Sequence, residues 1–123
     1  MQKRILVVDD DSMNLMRTKM ILSKTYDVVL VRSGIEALNT LKREKMDLVL
    51  LDIEMPKMNG ITTFERLKEF DSDTPVIFLT ASGLEDDVVS AIKLGAVNYL
   101  KKPYEPQELL KRVAQEFGET VEE

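Results

Sequence analysis

Short β-branched runs and longer amphipathic ones take turns along the whole chain, and this alternation restricts the fold more than any other feature. The strand-like runs are RILVVD (4–9), DVVLV (27–31), DLVLLD (47–52), PVIFLT (75–80) and VNYLK (97–101). The first, third and fourth are apolar almost without interruption, as expected of strands covered on both faces. Helical patterns lie near 12–24, 35–44, 60–70, 84–94 and 106–117. Ser33 with Glu36 and Ser82 with Glu85 fit capping boxes, Pro106 suits a first helical position, and Gly95 suits a helix stop. Repeated βα units predict an α/β fold, a three-layer sandwich with a parallel five-stranded sheet between helices. With 123 residues and 44% hydrophobic content the chain reads as one domain, its core about 3–117 and its tail GETVEE (118–123) polar. Met13, Met16 and Met20 share one face of the first helix and read as core filling.

Ligands of an open parallel sheet bind beyond the carboxyl ends of the strands, where the strand order reverses. With the flavodoxin-like order 2-1-3-4-5 assumed, that point lies between the first and third strands. Asp9, Asp10 and Asp11 follow the first strand, Asp52 ends the third, Thr80 ends the fourth, and Lys101, Lys102 and Pro103 follow the fifth. Each has an ordinary structural use: Asp11 or Ser12 caps a helix, a threonine satisfies a turn, and edge lysines guard against strand pairing. Together they suggest chemistry. Two carboxylates about 4 Å apart repel by roughly 4 kcal/mol at an effective dielectric near 20, so a proton, an ammonium or a cation must offset them.

Composition decides what that offset can be. The chain has no cysteine and no histidine, so thiolate and imidazole chemistry is excluded and carboxylates, hydroxyls and lysines remain. An all-oxygen cluster with room for waters and a phosphate oxygen suits Mg²⁺. An aspartate can also attack phosphorus, with a lysine and a hydroxyl binding the phosphoryl oxygens. The net charge of -5 does not suggest a nucleic-acid surface. No charged-then-apolar leader and no membrane-length apolar run is read, which predicts a cytoplasmic protein without membrane contact.

On VVDDD, LLDIEMPKMNG, FLTAS and YLKKP, in that order on successive strand ends, the chain resembles the receiver domain of two-component response regulators over residues 3 to 117. The resemblance implies that Asp52 is the phosphoacceptor, and that Asp9, Asp10 and Asp52 with the backbone carbonyl of Glu54 bind Mg²⁺. It implies that Lys102 pairs with the phosphoryl group, that Thr80 binds it and switches, and that Tyr99 turns inward or outward with the state. Lys102 rather than Lys101 takes that role because it precedes Pro103, and strand alternation agrees; similar domains have a cis bond there. The implied partners are a sensor histidine kinase or histidine phosphotransfer protein as donor, and a downstream effector or fused output domain. The face of the fourth predicted helix, fifth strand and fifth predicted helix would carry the switch. On this reading the domain is a signalling module that promotes its own phosphorylation and dephosphorylation, with no separate turnover substrate. A phosphorylation-dependent dimer is compatible with the resemblance, but Val97 and Asn98 stand where one large subfamily has two acidic residues before the tyrosine, which argues against that style of pairing.

Gly60 closes a proline- and asparagine-containing segment suited to a sharp exit from the acceptor strand, and Ala81 leaves room beside the Thr80 hydroxyl. Glu54 and Ser82, each two residues beyond Asp52 and Thr80, flank the approach of a hydrolytic water, so substitutions there are expected to change phosphate lifetime. Two other readings compete. In a haloacid-dehalogenase-like phosphatase, Asp9 would be the nucleophile and Asp11 the general acid, but no acidic pair follows the lysine and Asp52 is left without a role. A receiver that only binds a partner would not need all the motif residues. The kinase, stimulus and output are not legible in the sequence.

Overall fold

A computed structural model describes residues 2–81, 89, 92, 93 and 95–119. Its elements are β1 (Arg4–Val8), α1 (Ser12–Leu22), β2 (Asp27–Val31), α2 (Gly34–Arg43), β3 (Leu48–Asp52), α3 (Gly60–Phe70), β4 (Val76–Thr80), β5 (Asn98–Lys101) and α4 (Pro106–Glu116). The expected helix at 84–94 and its Ser82–Glu85 cap lie largely or wholly outside the described residues, as does the end of the polar tail. All neighbouring strands are parallel, in the order β2-β1-β3-β4-β5. None of the described helices is long and apolar enough to cross a membrane.

Two apolar layers sandwich the sheet. On one face Leu6, Val8, Val49, Leu51, Val76 and Phe78 pack with Ala37, Leu38 and Leu41 of α2 and Phe64 and Leu67 of α3. On the other Ile5, Val7, Leu48, Leu50, Ile77 and Leu79 pack with Leu15 and Leu22 of α1 and Leu109 and Val113 of α4. This two-sided burial explains why the central strands read as unbroken apolar runs. Each large aliphatic side chain removed from water contributes about 1.5–3 kcal/mol, so the central strands cannot slip by one residue without facing each side chain to the wrong layer.

The methionines correct an expectation. Met13, Met16 and Met20 are 82%, 54% and 70% exposed. The face of α1 turned inward is Leu15, Thr18 and Leu22. Both sets have helical i, i+3, i+7 spacing, but two residues separate them, about 200° of helix rotation. Periodicity alone does not separate the two faces, and the sheet covers the one with Leu15, Thr18 and Leu22.

Caps fix where the helices begin beside the sheet's carboxyl edge. Asp11 caps α1, accepting from the Met13 amide at 3.0 Å. Ser33 accepts from the Glu36 amide at 3.1 Å, while the Glu36 carboxylate accepts from the Arg32 amide at 2.7 Å, so the return bond falls one residue earlier than in a standard capping box. Asn59 caps α3, and Pro106 stands in the first turn of α4.

Gly60 carries a closer constraint. A Cβ there would lie 2.2 Å from the Asp52 carbonyl oxygen and 2.8 Å from the Ile53 Cα, and its amide donates to the Ile53 carbonyl at 2.9 Å. The glycine serves a close approach of α3 to the end of β3; the left-handed residue of the preceding turn is Lys57, at φ 68°. Gly60→Ala is therefore expected to destabilise the fold by about 1–3 kcal/mol, the usual range for overpacking. Urea denaturation measures it, and an unchanged midpoint would contradict the tight contact.

Candidate functional site

The register of the sheet gathers the acidic residues. Val8 pairs with Leu51, so Asp9 and Asp52 leave adjacent strands side by side. Asp9 continues the phase of Ile5 and Val7, Asp52 that of Leu48 and Leu50, and Lys102 that of Leu100, all toward the layer of α1 and α4. Asp9 and Asp52 are buried, and Asp10 lies at the exposed rim. The Lys102 ammonium sits between the two buried carboxylates, 2.7 Å from Asp9 Oδ2 and 3.3 Å from Asp52 Oδ2. Lys101 is exposed, and the Lys102–Pro103 peptide is cis.

Asp9 is held from several sides. Its Oδ1 accepts from the Asp11 amide at 3.0 Å, and its Oδ2 accepts from the Asn14 side-chain amide at 2.5 Å as well as from Lys102. Asp52 is held by less: its Oδ1 is buried and has no hydrogen-bond partner among the described residues. A buried carboxylate oxygen in that condition is costly.

Burial pushes the Asp52 carboxyl up to about 7; Lys102 opposes the rise, and the charges of Asp9 and Glu54 add to it. For Lys102, burial favours the neutral amine, but the hydrogen bond to Asp9 and the charge of Asp52 outweigh it and raise the ammonium above its usual value. Between 3.8 and about 7 the folded Asp52 holds a proton that the unfolded chain has released. Metal-free protein therefore loses stability from this group as pH rises through that window, by on the order of 2–4 kcal/mol. Denaturation of wild type and Asp52→Asn at pH 5 and 8 isolates the effect. The wild type should fall further between the two values, and parallel curves would contradict the raised carboxyl.

Asp9, Asp10 and Asp52 each offer a carboxylate oxygen within 4.8 Å of the others. The donors are hard oxygens, the buried Asp52 Oδ1 lacks a hydrogen-bond partner among the described residues, and the cluster contains no sulfur or imidazole ligand, so the residues fit Mg²⁺.

Thr80 and Tyr99 lie at the neighbouring strand ends. Thr80 is buried, and its hydroxyl donates to Glu54 Oε1 at 2.8 Å; the Ala81 amide donates to Glu54 Oε2 at 3.3 Å. Tyr99 on β5 is 38% exposed. Ser82 lies outside the described residues.

Four residues of the network around Asp9 were not legible as part of a site. Asn14 reaches both Asp9 and the Tyr104 hydroxyl, the latter at 3.3 Å. Tyr104 is buried and shares a 2.5 Å hydrogen bond with Thr18, and Arg17 donates to its carbonyl at 2.6 Å. Polar residues near a helix start normally face water. Only the i, i+4 spacing of Asn14 and Thr18 beside the buried stripe of α1 could have marked them as inward.

Comparison with known proteins agrees with this arrangement. Residues 5–114 match the family described as response regulator receiver domain. The chain is 41% identical over 114 residues to the DNA-binding response regulator MtrA of Mycobacterium tuberculosis, which covers 92% of this chain and 50% of that protein. It is 40% identical over 113 residues to the transcriptional regulatory protein CpxR of Escherichia coli, covering 92% of this chain and 48% of the relative. The chain thus spans about half the length of the curated relatives it matches. Among solved structures, a CheY-like response regulator receiver domain protein from Methanospirillum hungatei superposes with a TM-score of 0.91 at 31% identity, covering 96% of this chain and 95% of that one. A response regulator from Thermotoga maritima gives 0.87 at 30% identity, covering 96% and 99%. Motif order, strand order, family match and structural likeness agree: this chain belongs to the receiver domain family of two-component response regulators.

Proposed function

We propose that Asp52 accepts a phosphoryl group from a phosphohistidine on a partner, a sensor histidine kinase or a histidine phosphotransfer protein. The observation that carries this is the Asp52 side chain itself: buried at the end of β3, one oxygen paired with Lys102 and the other without a hydrogen-bond partner among the described residues. In the step proposed, an Asp52 oxygen bonds to phosphorus as the P–N bond breaks. The bonding pair returns to the donor imidazole, which takes up a proton. The donor histidine must come from elsewhere, since this chain has none.

Asp9, Asp10, Asp52 and the backbone carbonyl of Glu54 would hold Mg²⁺, which when bound neutralises charge on the phosphoryl oxygens. Lys102 pairs with one of those oxygens and the Thr80 hydroxyl donates to another. Asp9, with both oxygens engaged, and Asp11, capping α1, are poorly disposed as the nucleophile and acid of a phosphatase. The added charge, about 1.5–2 units, draws on Thr80, makes room for Tyr99 to turn inward, and shifts the face of β5 and α4 between two populations; the helix expected at 84–94 as part of that face lies largely outside the described residues. An effector or a fused output domain reads that face. Residues 1–123 act as one cytoplasmic receiver that has no separate turnover substrate.

Incubation with acetyl phosphate and Mg²⁺ should add one phosphoryl mass to the intact chain, and chelating the divalent ion should slow labelling at least about tenfold. Equal labelling with and without the chelator would remove the metal from this account.

A further inference from the structure

Resting on that assignment, we propose that the Glu54 carboxylate is a built-in competitor of the phosphoryl group. It occupies the Thr80 and Ala81 donors before Asp52 is loaded, and it must leave for loading to finish.

Glu54 follows β3 by two residues and reaches across to the end of β4. Among the described residues, Oε1 accepts from the Thr80 hydroxyl at 2.8 Å and Oε2 from the Ala81 amide at 3.3 Å. A hydroxyl and a backbone N–H converging on two oxygens of one anion form an oxyanion-binding arrangement. It lies beside Asp52, which pairs across the sheet with Leu79, the residue before Thr80. Lys102 is meanwhile held by Asp9 and Asp52. Carboxylates of the chain thus engage the lysine, hydroxyl and amide that a phosphoryl group on Asp52 would recruit.

Exposure decides how strong the competitor is. Glu54 is exposed, whereas Thr80 is buried. The carboxylate can move into water without a large desolvation cost, which leaves the Thr80 hydroxyl to donate to the phosphoryl group. The contact therefore acts as a gate of modest height. Its second consequence is repulsion: a carboxylate left near the acceptor opposes the approach of a dianionic donor. In chemical terms the loading step with acetyl phosphate is balanced. An Asp52 oxygen forms a bond to phosphorus, the bond from phosphorus to the acyl oxygen breaks, and acetate departs with that electron pair.

The test uses the full chain, acetyl phosphate with Mg²⁺, and the variants E54Q and E54A. Labelling should rise about three- to tenfold in E54A, the scale of one typical net hydrogen bond, and by less in E54Q, which keeps the acceptor shape without the charge. In metal-free protein before any labelling, the Ala81 amide resonance should shift in E54A more than the other amides of β4, reporting the lost carboxylate. Equal labelling rates in all three proteins, or an unmoved Ala81 resonance, would overturn the competition. Failure of the underlying assignment looks different, because then neither wild type nor E54A would carry label on Asp52.

Discussion

Asp52→Ala is expected to abolish labelling by acetyl phosphate, a loss of at least about two orders of magnitude that Mg²⁺ does not restore. No neighbouring carboxylate is equipped to replace it. Asp9 has both oxygens hydrogen-bonded, Asp10 is at the exposed rim, and Asp11 caps α1. The same substitution should leave the metal-free fold at pH 8 as stable as wild type or more so, because it deletes a buried carboxylate whose ionised form is penalised by burial and by Asp9. Loss of label together with unchanged or higher stability separates a functional carboxylate from a structural one. Intact-mass measurement and urea denaturation of the same preparation supply both readings.

Lys102→Ala is the second large effect, and it acts on both quantities in the same direction. Its ammonium is the cation that bridges Asp9 and Asp52, and removing it leaves two buried carboxylates facing each other. Truncating one partner of a buried charge pair costs about 2–5 kcal/mol. The lower half of that range is expected, because the Lys102 side chain is 18% exposed and Asp52, already raised to about 7, can relieve the repulsion by taking a proton. The destabilisation should thus be larger at pH 8 than at pH 6, and Mg²⁺ should recover part of it. Labelling should fall by about two to three orders of magnitude, the scale of losing one charged donor to a transferring group. A variant that kept the wild-type rate would show that Lys102 serves only to neutralise Asp9.

The strands and the site's inventory were legible because both rest on strong local signals. Unbroken apolar runs gave the central strands, and the strand-end residues fell where parallel strands deliver them. The register then does the assembly: one residue past the Val8–Leu51 pair stand Asp9 and Asp52. Three matters were not legible, each for a physical reason. The two apolar stripes of α1 have the same spacing, so only the position of the sheet decides that Leu15 and Leu22 are buried and Met13, Met16 and Met20 are not. Gly60 resembled a turn residue, whereas what it provides is the missing Cβ against Asp52, a tertiary contact. The long side chain of Glu54 reaches the end of a different strand, and sequence spacing carries no record of where such a chain points.

The central claim is that phosphorus bonds to Asp52, and locating that bond tests it most directly. Wild-type chain labelled with acetyl phosphate and Mg²⁺ can be reduced with borohydride, which converts an aspartyl phosphate to the corresponding alcohol, then digested and sequenced by mass spectrometry. The reduced residue should appear at position 52 alone, with Asp9, Asp10 and Asp11 recovered intact. Reduction at any of those three, or an unreduced position 52 in protein that carries the phosphoryl mass, would contradict the account.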